Sequence, residues 1–272
     1  MDARPIGVID AGMGGYTVVR QVQQLMPHED IIYYGDSVNQ PYGNRRQDSI
    51  LHMTRQILDF MKSRDVKLVA VACNTISTLI DEYRNDYDFP IFSIVEAGAH
   101  AAVESGAGKI GMFSTVFTAD SRCYERLILQ ENPDAVVVSQ GCRDLPRIIE
   151  HGDFDQAELD KEIKKEIDAI LDRQPVTHLI LGCTHFVYVR ENIRRLYPTL
   201  ATIDPAEEQG RILQRHLSDA GALTNGNGTG GFTVFTTGSV ERYRNAAGRM
   251  TLHPPGTVSQ VPAPNPEPGQ FS

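Results

Sequence analysis

Val66-Lys67-Leu68-Val69-Ala70-Val71-Ala72-Cys73 and, 110 positions further on, Val176-Thr177-His178-Leu179-Ile180-Leu181-Gly182-Cys183 decide the fold. Each is a short apolar run that ends on a cysteine and gives way to polar residues and a helical pattern, Asn74-Thr75 in one and Thr184-His185 in the other. An unbroken apolar run of this length, bounded rather than alternating, reads as a strand buried on both faces, the habit of a parallel sheet. A second pair recurs in the same order. Pro5-Ile6-Gly7-Val8-Ile9-Asp10 matches Lys109-Ile110-Gly111-Met112-Phe113-Ser114, with Ile110 lying 104 positions after Ile6. Any two buried strands look somewhat alike, but two motifs repeated in order at similar offsets are explained simply by two diverged halves.

Working outward, strands are expected at 31–34, 91–95 and 135–138, with a last one at 232–236. Helices are expected at 16–25, 48–61 and from 74 to about 83. Residues 155–171 carry Ile163, Ile167, Ile170 and Leu171 on one face and Lys161, Lys164 and Lys165 elsewhere, the clearest amphipathic helix in the chain. This alternation predicts an α/β fold of two pseudo-symmetric domains, each a mostly parallel sheet flanked by helices. Residues 221–231 are rich in Gly and Asn and read as a loop, and the proline-rich segment 254–272 is expected to be disordered or loosely draped.

Composition narrows the function. With 41% hydrophobic and 22% charged residues over 272 positions, the chain is an ordinary globular one. Its net charge of −9 excludes a general basic surface for nucleic acid or anionic lipid. No apolar run approaches the ~18 residues of a membrane span. A strand-like run follows Met1-Asp2-Ala3-Arg4-Pro5 at once, leaving no room for a signal peptide, so the cytoplasm is the expected compartment. There Cys73, Cys123, Cys142 and Cys183 are expected to be thiols, and the absence of a CxxC pair argues against a zinc site.

Cys73 and Cys183 are the leading candidates for chemistry. In open α/β sheets, ligands bind in the crevice beyond the strand C-termini, where both cysteines fall. A thiol at a helix start also feels the positive end of the dipole, which favours thiolate. One strand-end cysteine alone would more often be a packing residue; two at matched positions of a repeat point to function. Cys123 and Cys142 lack this setting and read as packing residues. Two thiols facing one crevice suggest that one removes a proton from a carbon while the other returns one from the opposite face, which inverts a stereocentre.

Three other side chains are candidates with structural alternatives. Asp10, opening Asp10-Ala11-Gly12-Met13-Gly14-Gly15, is either a helix cap or a carboxylate for a substrate ammonium or a relayed proton; the glycines would let backbone approach a ligand. That turn is neither GxGxxG nor a P-loop. His185 could tune or relay the proton of Cys183, or simply make a hydrogen bond at a helix start. Glu150 reads by itself as a surface carboxylate. Pyridoxal phosphate would need a Schiff-base lysine. Lys67 and Lys109 precede strands at the wrong end of the sheet, Lys62 ends a helix, and Lys161, Lys164 and Lys165 lie on the amphipathic helix, so no cofactor is expected.

These residues also form a recognisable set. Asp10-Ala11-Gly12-Met13-Gly14-Gly15, Tyr34-Gly35-Asp36, Pro41-Tyr42-Gly43, Ala72-Cys73-Asn74-Thr75, Glu96-Ala97-Gly98-Ala99, residues 115–121 with Tyr124, and Gly182-Cys183-Thr184-His185 together resemble the glutamate racemases of the aspartate/glutamate racemase superfamily, over about residues 6–250. The resemblance implies a cofactor-independent racemase in which Cys73 deprotonates the D-enantiomer and Cys183 the L-enantiomer. Asp10, His185 and Glu150 would assist, and Ala11, Pro41, Tyr42, Gly43, Asn74, Thr75, Thr118 and Thr184 would contact the substrate. It further implies a first domain of residues 1–95 and 207–253, a second of 96–206, a homodimer, and D-glutamate for peptidoglycan as the product. The family has Ser where this chain has Ala11, so one hydroxyl contact is absent. That leaves open aspartate or another amino acid as substrate, and a non-catalytic anion-binding homologue is the alternative from outside enzymology.

Overall fold

The computed structural model describes residues 1–152, 155–226 and 228–267. Its strands are β1 (Ile6–Asp10), β2 (Ile31–Gly35), β3 (Leu68–Val71), β4 (Ile91–Ser93), β5 (Lys109–Thr115), β6 (Val136–Cys142), β7 (His178–Gly182), β8 (Ala201–Ile203), β9 (Phe232–Thr236) and β10 (Thr257–Gln260). Its helices are α1 (Tyr16–Leu25), α2 (Gln47–Ser63), α3 (Asn74–Ser77), α4 (Ile94–Glu104), α5 (Val116–Asp120), α6 (Cys123–Glu131), α7 (Leu145–His151), α8 (Gln156–Leu171), α9 (Arg190–Leu196), α10 (Pro205–Asp219) and α11 (Val240–Met250).

The strands form two sheets, ordered β10-β9-β2-β1-β3-β4 and β6-β5-β7-β8, and every pairing is parallel. The run β2-β1-β3-β4 of the first sheet has the same connectivity as β6-β5-β7-β8 of the second, so β3 and β7, which lead into Cys73 and Cys183, hold equivalent places. All five residues of β1 are buried, and successive side chains enter opposite layers: Val8 joins the core under α1, while Ile9 joins the core under α2. In β7, Leu179 and Leu181 face α8 while Ile180 faces α4 and α6. Two-sided burial explains why these strands read as unbroken apolar runs. Cys123 and Cys142 pack in these two layers of the second half.

Four local expectations need correction. The helix after β3 is only Asn74–Ser77, followed by single 3-10 turns at Ile80–Glu82 and Arg84–Asp86. Ser77 and Thr78 donate their hydroxyls to the carbonyls of Val71 and Thr75, local bonds that compete with continuation of the helix. The fourth strand stops at Ser93, because its hydroxyl caps α4 by accepting from the N–H groups of Val95 and Glu96. The short strand β8 carries too brief an apolar signal to stand out. Finally, β9 is not the last strand. The tail expected to be disordered adds β10 to the sheet edge, and residues 261–267 then lie across the first half; residues 268–272 of that expectation lie outside the described residues.

Candidate active site

Cys73 and Cys183 both line one small cavity between the two halves. The strand ends aim them there: β3 and β7 each finish one or two residues before the cysteine, and the chain turns at once into Asn74–Ser77 or into the 3-10 turn Thr184–Val189. Asp10, Ala11, Pro41, Tyr42, Gly43, Asn74, Thr75, Thr184 and His185 share the wall. The cavity is about 40 Å³, room for about three waters at ~10–15 Å³ each.

The halves meet through the glycine-rich turn. A Cβ on Gly14 would lie 2.2 Å from Oγ1 of Thr184 and 3.1 Å from Nδ1 of His185, and one on Gly12 would lie 1.8 Å from Nε2 of Gln40. These glycines admit neighbouring side chains, two of them from the second half, where the sequence suggested approach to a ligand. Tyr33 and Tyr188 donate to the carbonyls of Gly12 (2.6 Å) and Gly14 (3.2 Å), fixing the turn from both sides.

Asp10 is buried, and its carboxylate accepts from the backbone N–H groups of Ala11 (2.9 Å) and Gly15 (2.5 Å) and from the Thr184 hydroxyl (3.3 Å). It thus ties down Gly15 at the start of α1 and also lines the cavity. Burial pushes its carboxyl up, although the His185 charge and the two N–H groups oppose this. Burial also pushes the Cys73 thiol well up, and the Asp10 charge adds to it, while the N–H groups of Ile76 and Ala11 offset part. The expected thiolate-favouring helix dipole does not prevail at Cys73, because α3 is one turn long and the sulfur is out of water.

The second half answers with a cation. Sγ of Cys183 lies 3.7 Å from Nδ1 of His185, whose Nε2 lies 2.5 Å from Oε2 of Glu150. Both His185 and Glu150 are more than nine-tenths buried. Burial works against the imidazolium, but the bonds to Cys183 and Glu150 and the Glu150 charge outweigh it and hold His185 well above its usual range. Burial likewise opposes the Glu150 charge, and His185, with Arg242 beyond it, still holds that carboxyl below its usual value. Glu150 is thus a buried ion-pair partner, where the sequence alone reads it as surface.

Other expected contacts sort themselves by geometry. Asn74 accepts the Tyr124 hydroxyl at Oδ1 (2.8 Å), which fixes the amide, and its Nδ2 is buried with no partner. An unpaired donor at a cavity wall is costly unless a ligand acceptor meets it. Tyr42 turns its hydroxyl to Asp36 (2.7 Å), so it presents ring and backbone to the cavity. Thr118 stands behind the wall, bonded to Thr115 (3.0 Å), and Thr115 takes its expected place beside Thr75. Gln40, Thr115 and Pro146 also line the cavity and were not singled out. Pro41-Tyr42-Gly43 was the sequence signal beside Gln40; Pro146 carried none. No group of three or more His, Cys, Asp or Glu side chains among the described residues could hold a metal ion, and no helix among them is long and apolar enough to cross a membrane.

Known proteins resemble this chain in sequence and in fold. The family described as Asp/Glu/Hydantoin racemase matches residues 16–209. Glutamate racemase 1 of Caldanaerobacter subterraneus subsp. tengcongensis is 35% identical over 246 residues, covering 90% of this chain and 91% of that one. Glutamate racemase of Trichormus variabilis is 41% identical over 74% of this chain and 69% of its own. Among solved structures, a glutamate racemase isoform from Bacillus anthracis superposes with a TM-score of 0.91 at 30% identity, covering 97% of this chain and 99% of that one. The glutamate racemase of Francisella tularensis, solved in complex with D-glutamate, gives 0.87 at 27%, covering 96% and 98%.

Proposed function

The chain belongs to the Asp/Glu/Hydantoin racemase family, and from that premise we propose that it interconverts L- and D-glutamate by passing protons between the α-carbon and the thiols of Cys73 and Cys183. The observation that carries this reading is that both sulfurs line a single cavity together with Asp10, with the Cys183 sulfur 3.7 Å from Nδ1 of His185.

With L-glutamate bound, Cys183 as thiolate takes the α-proton, and the electron pair passes to the α-carbon and its carboxylate. The Cys73 thiol then donates its proton to the opposite face, leaving Cys183 as thiol and Cys73 as thiolate. D-glutamate reverses the order. Burial and the Asp10 charge keep the proton on Cys73 at rest, which suits it as the donor in the L-to-D direction. For the return direction the proton of Cys73 must leave, and Asp10, whose own carboxyl is pushed up by burial, can carry it. The imidazolium of His185, held by Glu150, compensates charge at Cys183. The α-carboxylate takes the unpaired Nδ2 of Asn74 and the hydroxyl of Thr75, with that of Thr184 added when it turns from Asp10, so an anion is held without an arginine clamp. Nothing in this scheme calls for a cofactor.

The same reading carries the wider expectations: D-glutamate supplied for peptidoglycan in the cytoplasm, a homodimer, and domains of residues 1–95 with 207–253 and of 96–206. They rest on the resemblance to glutamate racemases.

The test is turnover in D₂O from each enantiomer. Racemisation of glutamate with deuterium at the α-carbon is expected, and Cys73→Ala and Cys183→Ala should each lower kcat by about 10²–10⁴-fold, the usual contribution of one acid–base group. A single variant working at the parent rate overturns the two-thiol mechanism. Because Ala11 offers no hydroxyl, aspartate belongs in the same assay: deuterium entering aspartate alone would move the substrate, and exchange into neither, with binding retained, would leave an anion-binding protein.

A further inference from the structure

The proline-rich tail makes a regular set of contacts that the reaction above does not use. The carbonyl of Pro262 accepts the Tyr34 hydroxyl (3.4 Å), that of Pro264 accepts Nδ2 of Asn39 (2.9 Å), and that of Pro266 accepts the Ser49 hydroxyl. Between the last two, Asn265 pairs its N–H and C=O with the side-chain amide of Gln56 (3.0 and 2.9 Å). Pro264 is buried. A run with proline at every second position suits this role. It stays extended, has few N–H groups to satisfy, and presents carbonyl acceptors at regular spacing.

The contact at Asn39 reaches the active site. One Nδ2 hydrogen goes to Pro264 and the other to Oδ2 of Asp36 (2.9 Å), which fills the donor capacity of that amide. The same Asp36 oxygen accepts the Tyr42 hydroxyl, and Arg45 donates to the Asn39 carbonyl (2.6 Å) and to its Oδ1 (3.3 Å). Asn39 is thus the joint between the tail and the turn Gln40-Pro41-Tyr42-Gly43, which walls the cavity between the two cysteines.

We propose that residues 262–266 are a positioning strap: through Asn39 and Asp36 they hold the Gln40–Gly43 turn in the register that receives the substrate. Without the strap, one Asn39 hydrogen loses its acceptor, and the segment before the turn keeps Arg45 on Asn39 and Thr237 on Asp36 and Val38. The inference rests on the proposed function only in taking this turn as a substrate wall.

Two variants test it: the chain ended after Val261, which keeps β10 and the bond from the Val261 N–H to Thr236, and the full-length Ser49→Ala/Gln56→Ala double variant, which loosens the strap away from the site. Steady-state racemisation of glutamate and amide exchange at residues 40–44 are measured with the parent. In both variants KM should rise about three- to tenfold, the factor that one lost hydrogen bond represents. Both should keep kcat within about twofold, and the turn should exchange faster. A merely structural tail would instead lower the melting temperature and leave KM alone. KM at the parent value in both variants overturns the strap. If the shortened chain does not fold, the double variant decides alone, and parent KM there overturns it. If the parent turns over neither enantiomer, it is the proposed function that fails. The strap is then judged on amide exchange, where unchanged protection at 40–44 overturns it.

Discussion

Replacing Glu150 by Gln tests the charge arrangement of the site. The substitution keeps the shape of the side chain and an acceptor for His185, and removes only the charge. In the parent, Glu150 and His185 meet at 2.5 Å with both side chains more than nine-tenths buried. Breaking a buried pair costs about 3–5 kcal/mol when the surviving charge is stranded. Here the imidazole can shed its proton instead, so the lower end applies, about 3 kcal/mol. At about 2 °C per kcal/mol for a chain of this size, the melting temperature should fall by about 6 °C. The pH dependence follows from the two shifts. His185 is raised from 6.5, so its contribution is full below about pH 6.5 and lost as the pH climbs through its raised value. Glu150 is lowered from 4.5, so its contribution is full above about pH 4.5 and lost as the pH falls through its lowered value. The gap between parent and variant should therefore be widest from about pH 4.5 to beyond 6.5 and close in acid. Thermal melts from pH 3.5 to 9, with an NMR titration of the His185 ring, measure it. A parent imidazole that titrates at its ordinary value, or a variant melting with the parent at pH 6, refutes the reasoning.

Three further outcomes are expected. Gly14→Ala places a Cβ 2.2 Å from the Thr184 hydroxyl and 2.8 Å from its Cβ; the halves must shift, and kcat/KM should fall at least about tenfold, since ~1 Å of misplacement can cost ~100-fold. Parent-like kinetics would show the seam to be soft. Lys67 and Glu29 form an ion pair with both side chains 1% exposed, so Lys67→Met should lower stability in urea by about 3–5 kcal/mol, and adding Glu29→Gln should recover part of the loss; a parent-like midpoint for the single variant contradicts this. Asp204 caps α10, and burial pushes its carboxyl up to about 6. Its folded form holds a proton that the unfolded chain releases near 3.8, so its contribution is present in acid and lost as the pH rises through about 6. Asp204→Asn should therefore gain about 1–3 kcal/mol at pH 7.5 and little at pH 4, read from melts at both; an equal effect at the two values would refute it.

The sequence by itself determined the α/β architecture and the two sulfurs. Strands such as β1, β3 and β7 are apolar on both faces because helices cover both, and that pattern survives in one dimension. A cysteine at the end of each of two matched strands is legible for the same reason, since strand ends in a parallel sheet share one edge. Only the tertiary structure decided what surrounds those sulfurs. Glu150 looks like a surface carboxylate until the fold brings it to His185, 35 positions away; Tyr33 and Tyr188 reveal nothing until they clamp one turn from both halves; the low-complexity tail reads as disordered until the edge of β9 offers it a strand to pair with. Each of these depends on a partner distant along the chain. Burial, which acts on the protons of Asp10, Cys73, Glu150 and His185, is a property of the packed molecule and of no short stretch of its sequence.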